Sequence, residues 1–190
     1  MVADNANHES GRLHQTIHSS EQIGMGEQLT ASDVQKIKEE IEYRKLVVRP
    51  RELEAVKEAR AQGDLSENFE YKAAKQDKNR NESRIRYLEK MLKHARVISD
   101  ESADDEVGIN NIVDVWFEED EEMETYKLVT SICGNSLQGL ISIESPLGKA
   151  IRGHKVGDRV EVVMDNGYAY YIVIKRIEDA SDDENTIRKY

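Results

Sequence analysis

The chain has 190 residues, 38% hydrophobic and 34% charged, with a formal net charge of −11, which allows one or two small domains but not one large core and argues against bulk nucleic-acid binding. The lone Cys133 excludes an internal disulfide and no Cys/His spacing resembles a zinc site, so a reducing cytosol is the expected setting. No apolar run approaches the roughly 20 residues of a membrane helix, and the first residues lack the apolar stretch of a signal peptide.

Charge is distributed unevenly. Residues 31–98 hold 17 Lys/Arg against 13 Asp/Glu, whereas the remainder holds 10 against 25. A mildly basic segment is thus attached to a strongly acidic one.

Residues 1–28, rich in Asn, His, Ser and Gly, read as a disordered extension. Thr30 or Ser32 then caps a helix starting near Ala31. Val34, Ile37, Ile41 and Val48 form one helical stripe. Pro50 removes a backbone donor and predicts a kink or split, after which Leu53, Val56 and Ala59 resume at a shifted phase. Gly63 ends the run. A second helix is predicted from about Leu65 to Ala95, with Tyr71, Ala74, Lys78, Asn81, Ile85, Leu88, Leu92 and Ala95 along one seam. Arg84 and Arg86 read as part of its solvated face. So short a connection makes the two helices antiparallel. At 1.5 Å per residue each arm reaches roughly 45 Å, so residues 29–99 form a hairpin whose tip protrudes.

Residues 100–108 read as an acidic linker. Strand alternation appears in Val113-Val115-Phe117, in Tyr126 to Ile132, in Ile141-Ile143, in Val160-Val162-Met164 and in Tyr168 to Ile174. Asp165-Asn166-Gly167 predicts a hairpin turn. Ser145 to Ile151 reads as a short capped helix with Pro146 in its first turn. Residues 109–178 are therefore a small antiparallel β domain with one short helix, and 179–190 an acidic tail. The fold class is α+β.

The most informative stretch is Ala59 to Tyr71, between the two helices. Asp64-Leu65-Ser66-Glu67 has the pattern of a capping box, with Asp64 at the N-cap and Glu67 three residues on. The same carboxylates are hard oxygen donors suited to Mg²⁺. One helical turn apart they cannot enclose an ion alone, but they can complete a site that a partner has half built, as two-metal phosphoryl chemistry requires.

Ala59 to Lys75 resembles the tip signature of the bacterial GreA/GreB transcript-cleavage factors, nearer the GreA branch. Arg49-Pro50, Arg84 to Glu89, Ala95 to Ile98, Ser145 to Ala150 and Val156-Gly157-Asp158 resemble that family in the same order, over roughly residues 29–178. The resemblance implies an N-terminal antiparallel coiled coil and an FKBP-like C-terminal domain. It implies a cytoplasmic, monomeric elongation factor that binds RNA polymerase through its secondary channel and faces the nascent RNA. On the same resemblance no cofactor is expected to be tightly bound; Mg²⁺ would be shared with the polymerase active site, whose own cleavage of backtracked RNA would be stimulated, so the chain would not itself be an enzyme. Residue by residue, Asp64 and Glu67 fall on the metal-assisting acids, Asn68 and Tyr71 on their supports, Arg60 and Lys75 on RNA-facing positions, and Glu144, Ser145 and Pro146 on the polymerase-docking loop. Phe69 departs from the pattern, standing where a small residue is expected. The alternative within the same shape is a channel-binding regulator that does not stimulate cleavage. An isomerase or chaperone built on the β domain is a third reading.

Overall fold

The structure is a computed structural model that describes residues 26–61, 69–180 and 187. It begins with a short strand β1 (Gln28–Leu29), then α1 (Ala31–Tyr43), a π-helical turn (Arg44–Val48) and α2 (Arg49–Ala61). The returning arm is α3 (Phe69–His94), closed by β2 (Arg96–Val97). Thr30 caps α1: its hydroxyl accepts from the Asp33 N–H at 3.1 Å while the Asp33 carboxylate accepts from the Thr30 N–H at 2.9 Å, the reciprocal arrangement that satisfies free amides at a helix start. β1 runs parallel to β2, so both ends of the hairpin are tied at its base.

Pro50 acts upstream of itself. Its ring excludes the carbonyl four residues back, and the chain answers with the π turn, in which the Arg49 N–H bonds the Arg44 carbonyl. The wider turn inserts one residue and rotates the helix beyond it. That is the physical origin of the phase shift read in the sequence, although its direction differs from expectation: Ala59 is buried, but Leu53 is half exposed and points outward.

The seam of α3 runs as predicted. Asn81, Ile85 and Leu88 are buried and Tyr71, Ala74, Lys78 and Leu92 partly so, joined by Met91, which the spacing alone does not pick out. In the outer half of the seam, polar pairs do the registering. Arg49 grips Glu82 with two bonds of 2.6 and 2.8 Å, and Arg44 reaches the Asn81 carbonyl at 3.1 Å. Arg84 departs from the solvated face expected for it. Its side chain is only 9% exposed, and it donates two bonds across the hairpin to Glu40.

The C-terminal unit contains β3 (Ile112–Phe117), β4 (Glu122–Val129), a 3₁₀ turn (Ser136–Gln138), β5 (Leu140–Ser142), α4 (Pro146–Ile151), β6 (Arg159–Val163) and β7 (Ala169–Glu178). The sheet order is β5-β4-β3-β7-β6. All neighbours are antiparallel except β4 and β5, which pair in parallel, so the sheet is mixed and not purely antiparallel. A bulge on β7 opposite Asp114 and Val115 resets the alternation, which lets Ile174 and Ile177 both face the core. The turn after β6 is also not the pure Asn-Gly type: only Gly167 takes positive φ, at 83°, and its N–H returns to the Met164 carbonyl at 2.9 Å, which is a type I turn closed by a left-handed glycine.

Two cores result. One fills the curl of the sheet beneath α4, with Val113, Val115, Leu128, Ile151, Ile172 and Ile174 fully buried and Val107 from the preceding segment sealing it. The other joins the units: Leu29, Ile37, Ile41, Ile85, Leu88 and Met91 of the hairpin base pack on Val129, Ile132 and Cys133. Burial and the Asp33 carboxylate beside it push the Cys133 thiol up to about 12. This is an inert core cysteine. Gln28, the last residue of the expected extension, instead forms part of β1. The tail from residue 181, apart from residue 187, lies outside the described residues.

Candidate functional site

α2 and α3 lie side by side and antiparallel, and their free ends meet at the far end of the hairpin. Ala61 and Arg60 close α2 there, and Phe69 opens the described part of α3 with 82% of its surface exposed. Asp64, Glu67 and Asn68 belong to the stretch between these ends and lie outside the described residues.

The flanks of the tip are cationic and aromatic. The Arg60 guanidinium and the Lys75 ammonium each lie 5.9 Å from the Tyr71 ring centroid. Hydrogen bonding by Arg60 first, then the charge of Lys75, holds the Tyr71 hydroxyl below its ordinary value. Lys72 sits 5.6 Å from the Phe69 ring. The structure thus brings together three residues singled out in the sequence, Arg60, Tyr71 and Lys75, with both cations against the phenol ring. Phe69, the departure from the family pattern, turns outward with a lysine against it. Among the described residues no group of three His, Cys, Asp or Glu could hold a metal ion.

Glu144, Ser145 and Pro146 form the second candidate element. Ser145 caps α4, accepting from the Gly148 N–H at 3.0 Å and donating to the Ser142 carbonyl at 2.7 Å. The Ser142 hydroxyl in turn accepts from the Glu144 N–H at 3.0 Å. Gly148 is required here, because a Cβ at that position would lie 2.1 Å from the Ser142 carbonyl oxygen. Glu144 accepts a hydrogen bond from the Gln28 side chain and has Lys149 at 3.6 Å. No spacing or motif points to this Gln28 contact, which ties the hairpin base directly to the Glu144-Ser145-Pro146 loop across 116 positions.

Both halves of the chain match families of one name. Residues 27–97 match the family described as "Transcription elongation factor, N-terminal" and residues 101–179 the one described as "Transcription elongation factor, GreA/GreB, C-term". The chain belongs to the GreA/GreB family of transcription elongation factors. It is 41% identical to the transcription elongation factor GreA of Macrococcus caseolyticus over 149 residues, covering 78% of this chain and 94% of that one. It is 45% identical to the GreA of Thermoanaerobacter pseudethanolicus over 140 residues, covering 73% and 89%. Among solved structures it is similar to GreA factor homolog 1 of Thermus thermophilus, at 25% identity and a TM-score of 0.39, covering 81% and 99%. The described part of this GreA/GreB family member thus carries the hairpin flanks and the Glu144-Ser145-Pro146 loop on one continuously packed body.

Proposed function

We propose that this transcription elongation factor docks on RNA polymerase as a monomer in the cytoplasm, inserts the hairpin through the secondary channel, and stimulates the polymerase's own cleavage of backtracked RNA. The observation that carries the reading is the antiparallel rod whose described arms end at Ala61 and Phe69, with Phe69 exposed and Arg60, Lys72 and Lys75 beside those ends. The sequence mounts Asp64 and Glu67 on that end. A curled FKBP-like domain would carry the docking loop Glu144-Ser145-Pro146, held to the hairpin base by Gln28 and by the shared core, so that docking at one end aims the other.

The donor set fits a shared ion and not a resident one. Two carboxylates are hard ligands but too few to enclose Mg²⁺, and among the described residues no group of three His, Cys, Asp or Glu completes a site. Asp64 and Glu67 would contribute oxygens to an ion in the polymerase site; when bound there, Mg²⁺ supplies activation of the attacking water or charge stabilisation at the leaving oxygen. Arg60 and Lys75 would face RNA phosphates, with the Tyr71 ring in contact with both and Asn68 supporting the acids. The nucleolytic chemistry belongs to the polymerase, and this chain positions charge. Presence of both acids favours this over a regulator that occupies the channel without stimulating cleavage.

The test adds the purified protein to stalled, backtracked complexes and follows Mg²⁺-dependent shortening of the RNA. Asp64→Asn should keep the hairpin folded, since Asn caps about as well as Asp, and should abolish the stimulation while leaving binding intact. Cleavage at the parent rate with this variant would refute the metal role.

A further inference from the structure

One end of the C-terminal sheet carries a feature that neither the tip nor the docking loop uses. Phe117, Tyr168, Tyr170 and Tyr171, with Glu119 and Asp120, line a half-open hollow of about 180 Å³. Phe117 and Tyr170 stack at 5.8 Å, Tyr168 lies 6.1 Å from Tyr170, and Tyr126 meets the Phe117 edge at 6.4 Å. The hollow is below the volume of a drug-sized site and suits a single long side chain.

The charge around it is unusual. Residues 118–124 read Glu-Glu-Asp-Glu-Glu-Met-Glu. Among the described residues Glu118 has a cationic partner, Arg159, whereas Glu119, Asp120, Glu121, Glu122 and Glu124 appear in no ion pair. Two of them are instead fixed by phenols: Tyr168 donates to Glu119 and Tyr126 to Glu124. Both hydroxyls are held above their ordinary values, Tyr168 chiefly through its bond to Glu119 and Tyr126 chiefly by burial. A phenol that donates to one lone pair orients the carboxylate and leaves its remaining acceptor sites unfilled.

The same edge already shows which cation such a surface takes. The Arg159 guanidinium lies 3.7 Å over the Tyr171 ring while bonding Glu118 with two contacts of 2.8 Å. A guanidinium thus sits between a tyrosine face and a glutamate fork. The hollow offers the same two kinds of group, aromatic faces and carboxylates, of which Tyr168 orients Glu119, with no arginine or lysine of the described chain among its lining residues. Planarity lets arginine stack and bind a carboxylate bidentately, which lysine cannot do.

We propose that this hollow is a docking site for an arginine side chain presented by a basic, extended segment of a partner protein. The aromatic wall supplies the stacking surface and Glu119 and Asp120 the charge, while the surrounding carboxylates steer the segment in. The proposal is independent of the tip and of how cleavage is stimulated.

The test titrates the full chain with the peptide Gly-Arg-Gly-Arg-Gly amide and records backbone and aromatic NMR signals. Shifts confined to Phe117, Glu119, Asp120, Tyr168 and Tyr170 are expected, with the lysine version several-fold weaker and the citrulline version, which keeps shape without charge, not binding. Tyr168→Leu removes an exposed ring, and the pair Glu119→Gln with Asp120→Asn removes charge only. Each should weaken the arginine peptide about tenfold, while Asp64→Asn leaves it unchanged. Shifts spread over the whole acidic surface, equal binding of lysine peptide or spermidine, or indifference to both variants would overturn the proposal.

Discussion

Replacing Arg84 by Met should loosen the shaft of the hairpin near its middle. The Arg84 side chain is 9% exposed and donates to Glu40 at 3.0 and 3.1 Å, while Arg44 holds the same carboxylate at 2.7 Å. Hydrogen bonds to charged groups contribute roughly 1.5–3 kcal/mol. Arg44 remains to compensate Glu40 and Met refills part of the volume, so a loss of about 2 kcal/mol at neutral pH is expected, or roughly 4–8 °C in Tm for a chain of this size. A double-mutant cycle with Glu40→Gln should return a coupling of about 1.5 kcal/mol. Burial raises the Glu40 carboxyl, but bonds and charge from Arg84 and Arg44 outweigh that and hold it below its ordinary 4.5. A depressed carboxylate stabilises the fold above its unfolded value and loses that contribution as pH falls through its folded value. The gap between parent and variant should therefore be constant above about pH 5 and close in more acid solution. Thermal unfolding monitored by circular dichroism measures both. A variant melting with the parent at pH 7, or a gap that widens on acidification, would refute the reasoning.

Gly148→Ala places a methyl against the Ser142 carbonyl and should lift α4 from β5, costing about 1–3 kcal/mol; polymerase binding, measured by co-sedimentation, should fall while hairpin helicity stays. Leu88→Ala empties a fully buried site where the hairpin meets Val129 and Ile132 and should cost about 2–5 kcal/mol in urea unfolding. Tyr71→Phe keeps the ring beside Arg60 and Lys75 but removes the hydroxyl bonded to Arg60; the melting curve should superimpose on the parent's, while stimulated cleavage slows several-fold in the backtracked-complex assay.

Periodicity carries the hairpin well because a two-helix seam obeys a single rule, one face in and the rest out. Asn81 and Lys78 can be placed on it despite their polarity, since only position decides. Arg84 cannot, because its burial depends on Glu40 in the other arm, and no spacing within α3 reveals a partner 44 residues away. Alternation finds the strands but is blind to pairing, so the parallel contact of β4 with β5 and that of β1 with β2 are beyond it. The Asn166-Gly167 pair announces a turn, while the turn's type depends on the one extra residue between the strands. At the tip, Arg60, Tyr71 and Lys75 are legible in the sequence and meet in space. The aromatic hollow is not, because Phe117 and Tyr168 are far apart in the chain and converge only through the register of β3 with β7.

The π turn at Arg44–Val48 has a bearing on aim. Each residue of an α-helix sweeps about 100° around its axis. Removing one residue from this turn would restore ordinary winding and swivel α2 by that angle against α3, breaking the grip of Arg49 on Glu82. The irregular turn therefore works like a set screw in a jointed rod: it fixes the compass bearing of α2, and of Arg60 at its far end, independently of how far the shaft extends.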